Sequence, residues 1–300
     1  MANLTSFYRI TEMKDCLIIG GGPAGLTAAL YLARFLREVV VFDARAGRAL
    51  KIPTTHNLAP FPDGISGEDL LGRMQSHAET YGAEIINDEV LEVSKTDGAF
   101  RVTTANGTTT ARTVILASGV INHGPPLSKQ DHDLGLSRGL IRYCPICDAY
   151  EVRGKQIGVL GHGEHGLAEA RFIRSYSDDV TLIPPEGYVP HATDDIGVLA
   201  SPMRRLSLTD TQVLVEVETG QQHLFDTLYV ALGTSPRSDL PVSIGAKCNA
   251  SGCVVVDAKQ ETSVAGLYAI GDIVEGLDQI AFAMGQGAVA ATAIHNALRQ

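Results

Sequence analysis

Three hundred residues, 45% of them hydrophobic, with 31 glycines and little low-complexity sequence, suit an α/β chain with room for two cores. A formal net charge of −10 excludes a nucleic-acid groove or an anionic membrane surface as the main partner. The longest apolar stretch, 280–294, is broken by Gly285, Gln286 and Gly287 and is shorter than the about 20 residues a bilayer needs. Residues 1–14 are polar and lack an apolar signal core, so the chain is expected in the cytoplasm.

The first predicted element is an apolar strand over 16–19, opened by Cys16, a small residue suited to a core. It runs into Gly20-Gly21-Gly22-Pro23-Ala24-Gly25, then a helix with small residues on one face, then a second apolar strand over 39–42. In such a G-x-G-x-x-G loop the first glycine allows the tight turn and the second lets a pyrophosphate approach the backbone. The third lets the helix pack closely on the strand. The helix N-terminus offers N–H groups and a positive dipole end to the phosphates. Asp43, followed by Ala44, closes the second strand, and an acid about 20 residues after the glycines is placed for ribose hydroxyls.

Five cysteines are an odd number, which does not suit a stapled secreted framework. In a reducing compartment Cys144-Pro145-Ile146-Cys147 reads as redox-active or metal-binding. A closed zinc site needs four ligands, and the only other pair, Cys248 and Cys253, flanks a turn and reads as two hairpin residues. No metal is therefore expected.

Residues 157–185 repeat the pattern of 16–44, with Gly161, Gly163 and Gly166 in the glycine positions and Glu164 and His165 inside the loop. By this register the counterpart of Asp43 is Pro184. The strand over 180–183 runs into Pro184-Pro185-Glu186-Gly187, and no arginine follows to hold the 2′-phosphate of NADPH. This copy reads either as a second dinucleotide site or as a half kept for its fold.

These motifs stand in order with the stretch 57–64 (NLAPFPDG), 113–119 (TVILASG), 262–272 (TSVAGLYAIGD) and 279–287 (QIAFAMGQG). Together they resemble the low-molecular-weight thioredoxin reductase family over 15–299. The resemblance implies an α/β fold of two Rossmann-like, three-layer ββα dinucleotide-binding domains. The second, 122–237, would be inserted into the first, 1–121 plus 238–300. It also implies a homodimer and FAD as cofactor. The FAD would be held by Gly20, Gly22, Pro23, Ala24, Gly25, Asp43 and Ala44, with Asn57, Val90, Ala117, Ser118 and Gly119. Gly271 and Asp272 would lie by the ribitol, and Gln279, Ile280 and Ala281 by the pyrimidine end. A helix N-terminus there would put positive potential where a reduced flavin gathers negative charge. By the same match Cys147 faces the flavin, Cys144 attacks the partner disulfide, and Asp148 is the general acid. The residue-level alternative for Asp148 is a stabilising acid in a first helical turn. The implied partner is a thioredoxin-like protein or a small dithiol or disulfide.

The chain departs from the family at defined places. The histidine and paired arginines usual after the second Rossmann strand are replaced by 184–188 (PPEGY). Asp278 stands for the arginine beside the glutamine, and Ala46-Gly47-Arg48-Ala49 alters the usual glycine pair. Without a phosphate clamp the pocket loses its preference for NADPH. The expected activity is an FAD-dependent thiol–disulfide oxidoreductase with an atypical electron donor site. An intact second glycine loop favours a second FAD there over NADPH. The alternatives are a conventional NADPH-dependent thioredoxin reductase with Arg204 and Arg205 supplying the clamp, a dithiol oxidase, and a flavin-based redox sensor.

Overall fold

The computed structural model describes residues 12–189 and 191–299; most of the polar N-terminal stretch discussed above lies outside them. The chain forms two units. The first takes Met1–Lys51, Ser66–Ile121 and Pro236–Gln300, and the second takes Ile52–Ile65 and Asn122–Ser235. The stretch 52–65, which carries Asn57, therefore groups with the second unit rather than with the flanking glycine-loop unit. It closes on itself through paired backbone bonds between Thr55 and Ile65, 2.9 and 3.0 Å long.

The first unit opens with β1 (Lys14–Ile19), α1 (Pro23–Arg34), β2 (Val39–Phe42), α2 (Gly67–Thr80), β3 (Glu84–Ile86), β4 (Val90–Thr96), β5 (Ala99–Thr104) and β6 (Thr108–Leu116). Successive side chains of a strand face opposite ways. In β1, Cys16 and Ile18 enter a core formed with α1, while Leu17 and Ile19 enter the core on the other side of the sheet. Burial on both faces explains why the strand reads as an uninterrupted apolar run. The helix α2 starts where the Ser66 hydroxyl accepts the Asp69 N–H at 3.0 Å, an N-cap of the usual kind. Strand order is β3-β2-β1-β6-β5-β4, with parallel pairing from β3 to β6 and antiparallel pairing beyond.

The strand β7 (Val120–Asn122) leads to α3 (Lys129–Ser137), β8 (Ile141–Arg142), α4 (Pro145–Asp148), β9 (Ile157–Gly161), α5 (Gly163–Arg174), β10 (Val180–Ile183) and β11 (Gly197–Val198). After them come β12 (Met203–Leu208), β13 (Val213–Val217), β14 (Gln222–Phe225) and β15 (Thr227–Ala231). The second unit is built on a parallel sheet, β11-β10-β9-β15-β8, and an antiparallel sheet, β12-β13-β14. One core joins the two sheets through residues such as Leu160, Val215 and Val230, and another lies between the parallel sheet and α5. This is the expected three-layer arrangement.

The chain then runs through β16 (Thr234–Pro236), which pairs with β7, α6 (Asp239–Ser243), β17 (Leu267–Ala269) and α7 (Ile280–Leu298). The strand β17 joins the first sheet parallel to β6. Among the described residues no helix is long and apolar enough to cross a membrane. Instead α7 packs its small residues on α1, and Cys16 is a fully buried free thiol in that core. Cys248 and Cys253 are free and flank the hairpin turn expected of them, where the Asn249 N–H donates to the Cys253 carbonyl at 2.9 Å.

The approach of α7 to α1 is close enough that a Cβ at Gly287 would lie 2.5 Å from the Ala24 carbonyl oxygen. Gly287→Ala is expected to lower stability by about 1–3 kcal/mol, the usual cost of overpacking against backbone. Urea unfolding checks this, and an unchanged midpoint would show that the two helices can separate freely.

Candidate functional site

In the second unit Cys144 and Cys147 are joined by a disulfide. Cys144 is the N-cap of α4 and Pro145 takes its first position, where a missing N–H costs nothing. The Cys147 N–H donates to the Cys144 carbonyl at 2.9 Å, so the pair is closed by one short turn. Asp148 ends that turn, and its carboxylate accepts two side-chain hydrogen bonds. Arg142 Nη1 donates to Oδ2 at 2.6 Å, and the Tyr229 hydroxyl donates to Oδ1 at 2.7 Å. Arg142 on β8 and Tyr229 on β15 are direct register partners, which sets both donors side by side. Burial raises the pKa of Asp148 above its ordinary value, outweighing the lowering by Arg142 and Tyr229. A carboxyl with a raised pKa, one residue from Cys147, suits the general-acid role expected of it.

Tyr143, just before the disulfide, is held by His132, whose Nε2 lies 2.7 Å from the phenol oxygen, and burial pushes the phenol up to about 12. Arg142, Tyr229, Tyr143 and His132 were not singled out from sequence. Only Arg142 and Tyr143 lie near the cysteines in the chain, and Tyr229 is 81 residues from Asp148.

The first unit carries most of the residues expected to hold FAD. The helix α1 starts at Gly22 with no side chain capping its first N–H groups, and Pro23 leads its first turn. A Cβ at Gly22 would meet nothing within 4 Å, so the backbone there lies open. By contrast, a Cβ at Gly20 would strike the Ala117 carbonyl, and one at Gly25 would strike the Gly20 carbonyl. Asp43 stands at the end of β2, its carboxylate carbon 2.5 Å from where a Gly21 Cβ would sit, with exposed Ala44 beyond it. Ala117 donates its N–H to the Ile19 carbonyl at 2.8 Å, so the 117–119 corner lies against the glycine loop. Ser118 donates to the Arg237 carbonyl at 3.2 Å, and Gly119 has a φ of +67°. Val90 is buried at the start of β4.

Gly271 adopts a φ of +75° and donates its N–H to the buried Gln286 side chain at 2.8 Å. A Cβ on Gly271 would touch the Ala24 methyl at 3.1 Å, so residues 271–272 lie over the first turn of α1. The guanidinium of Arg48 is shared by two acids, 3.3 Å from Asp272 and 3.3 Å from Asp278. Burial and the Asp272 charge raise the Asp278 pKa, and Arg48 opposes them. The two family departures in this unit, Arg48 and Asp278, are thus partners of each other. Gln279 is the uncapped N-cap of α7, with Ile280 and Ala281 opening that helix. An open glycine, an uncapped helix start, a strand-end carboxylate and a second uncapped helix start fit a dinucleotide such as FAD. Asn57 belongs to the other unit, exposed, with its Oδ1 accepting from Thr55 at 2.9 Å.

In the second glycine loop, a Cβ on Gly166 would come 2.9 Å from the Gly161 carbonyl carbon, and Gly163 has a φ of +59°. Glu164 is exposed in the first turn of α5, and His165 turns to Glu169 at 3.3 Å. Burial pushes Glu169 up to about 7. The chain does return beside the end of β10, where the Met203 N–H donates to the Pro184 carbonyl at 2.8 Å. Arg204 is exposed and 3.8 Å from Glu216, and Arg205 is exposed beside it.

A family model described as pyridine nucleotide-disulphide oxidoreductase matches residues 14–287. A thioredoxin reductase of Streptomyces clavuligerus is 31% identical, over 89% of this chain and 88% of its own length. One from Treponema pallidum is 30% identical, over 93% and 95%. The crystal structure of thioredoxin reductase from Streptococcus pyogenes superposes with a TM-score of 0.86 at 28% identity, covering 96% of this chain and 98% of that one.

Tyr229→Phe removes one of the two donors to Asp148 and is expected to cost about 1–3 kcal/mol near neutral pH. The penalty is full above the raised Asp148 pKa and fades as pH falls through it, because the protonated carboxyl has less need of a donor. Urea unfolding of both proteins at two pH values reads the difference. Glu169 keeps its proton up to about 7 when folded, against an ordinary value of 4.5 unfolded, so its contribution to stability is full below 4.5 and declines as pH rises to about 7. Glu169→Gln is therefore expected to raise the melting temperature above pH 7 and to leave it unchanged below pH about 4.5.

Proposed function

The chain belongs to the pyridine nucleotide-disulphide oxidoreductase family, in its thioredoxin-reductase-like branch, and we propose that it relays electron pairs between FAD and the Cys144/Cys147 pair. The observation that carries this reading is the Cys144–Cys147 disulfide followed at once by a carboxyl set between Arg142 and Tyr229. FAD bound in the first unit supplies two-electron redox chemistry. The glycine loop around Gly22 and the start of α1 would take its pyrophosphate, Asp43 its ribose, and Asp272 its ribitol.

The protein's own residues account for the thiol steps. In the reduced pair, the Cys144 thiolate attacks a partner disulfide, forming a mixed disulfide and releasing one partner thiolate, which takes a proton. Cys147 then attacks the Cys144 sulfur, restoring the Cys144–Cys147 disulfide and releasing the second partner thiolate. In total the partner gains two electrons and two protons. Asp148 is suited to supply a proton, and Arg142 and Tyr229 stabilise the carboxylate left behind. Ile146 and Tyr150, 52% and 61% exposed, put apolar surface beside the disulfide, which suits a thioredoxin-like partner.

The donor site sets this chain apart. Residues 184–188 carry no cation, and Glu186 would repel a 2′-phosphate. A dinucleotide without that phosphate, such as a second FAD, suits the loop better than NADPH. The second reading, ordinary NADPH-dependent thioredoxin reduction, draws on the relatives named as thioredoxin reductases and on Arg204 and Arg205, which follow the Met203–Pro184 contact.

Anaerobic mixing separates these readings. The flavin is expected to stay yellow with NADPH and to bleach with dithiothreitol, and Cys147→Ser should abolish the second response. Rapid bleaching by NADPH would establish the conventional donor, and bleaching of Cys147→Ser by dithiothreitol would sink the relay. FAD per chain, measured after denaturation, then shows whether the second loop holds a flavin.

A further inference from the structure

The two glycine loops are copies of one unit, and two of their differences bear on where a ribose and its base would lie. In the first copy the residue between the first two glycines of the motif is Gly21, where a Cβ would lie 2.5 Å from the Asp43 carboxylate carbon. A side chain there points to the place from which a strand-end acid serves a ribose. In the second copy the same position is His162, and Pro184 replaces the acid.

Residues just past β10 complete the arrangement. The Tyr188 N–H donates to the Pro185 carbonyl at 3.2 Å, and Gly187 adopts a φ of +82°, as the third residue of a type II turn requires. This turn brings Tyr188 back over the loop. Its ring lies face to face with that of His162, with centroids 3.7 Å apart and planes 20° apart. Tyr188 is 45% exposed, so the stack sits at the mouth of the loop rather than in the core.

We propose that Tyr188 is a removable plug of the second dinucleotide slot, its ring holding on His162 the place where the adenine of an incoming dinucleotide would stack. The proposal rests on reading the second unit as a nucleotide-binding half. The ligand class is an adenine-bearing dinucleotide: a flat heteroaromatic ring can replace the phenol on the imidazole face. Beside it, α5 begins without a side-chain cap, and among the described residues a Cβ on Gly163 would meet nothing within 4 Å, so the backbone there lies open to a pyrophosphate. Binding must displace Tyr188, which lowers affinity for every such ligand. His162 and Tyr188 thus set the affinity of the slot, in addition to the missing clamp.

The test is calorimetric titration of protein carrying one FAD per chain with NADPH and, separately, with ADP-ribose. Tyr188→Ala should tighten both by about tenfold, the order expected when one stacked aromatic pair no longer has to be broken. Tyr188→Phe keeps the ring and should bind like the unmodified protein. Adding His162→Ala to Tyr188→Ala should remove the gain, because the stacking platform is lost. The proposal is overturned if Tyr188→Ala binds no tighter than the unmodified protein, or if Tyr188→Phe binds as tightly as Tyr188→Ala. Dithiothreitol bleaching of the same samples reports the flavin–dithiol relay separately, so its failure and failure of the plug are told apart.

Discussion

A strand can turn straight into a helix that lies back on it only where nothing projects between the two. Both units depend on this constraint. In the first, Gly25 faces the Gly20 carbonyl so closely that no side chain fits between them, and in the second Gly166 faces Gly161 in the same way. The reward for such closeness is a helix start held beside a strand end, with backbone N–H groups and a strand-end residue converging on one point. The rest of each unit is built to hold this junction. Apolar strands bury both faces, and small residues of α7 lie against α1.

The acids near the expected chemistry follow a second rule. A carboxylate taken from water keeps its charge only where donors replace the water. Asp148 has a guanidinium and a phenol, and Asp272 and Asp278 share one guanidinium. In Asp148 and Asp278 burial still prevails and raises the pKa above the ordinary carboxylate value. For a residue beside a dithiol this is useful, because thiol exchange needs a proton for the departing sulfur.

Much of this was legible in the sequence because it is local. The glycine spacing, the apolar strands, Asp43 and the C-x-x-C-D run each lie within a few residues or one repeat length. The partners of Asp148 were not legible. Tyr229 reaches it only because β15 lies beside β8, and no local pattern marks that pairing. Arg48 and Asp278 looked like two unrelated losses until the fold brought them together. The grouping of 52–65 with the second unit was also hidden, since its neighbours in the chain on both sides belong to the first. The sequence offers Arg204 and Arg205 as a clamp, and the chain does bring Met203 to Pro184, but Arg204 is paired with Glu216.

The shared guanidinium of Arg48 has a further consequence. It ties the short turn Arg48–Lys51 to the segment that leads into α7, through ion pairs whose members are 21–40% exposed. Charges this close, 3.3 Å apart and partly buried, lie well within a Debye length of about 8–10 Å, so salt screens them little. What loosens this tie is protonation of Asp278, whose pKa burial and Asp272 raise, while the glycine junction, made of backbone contact alone, does not titrate.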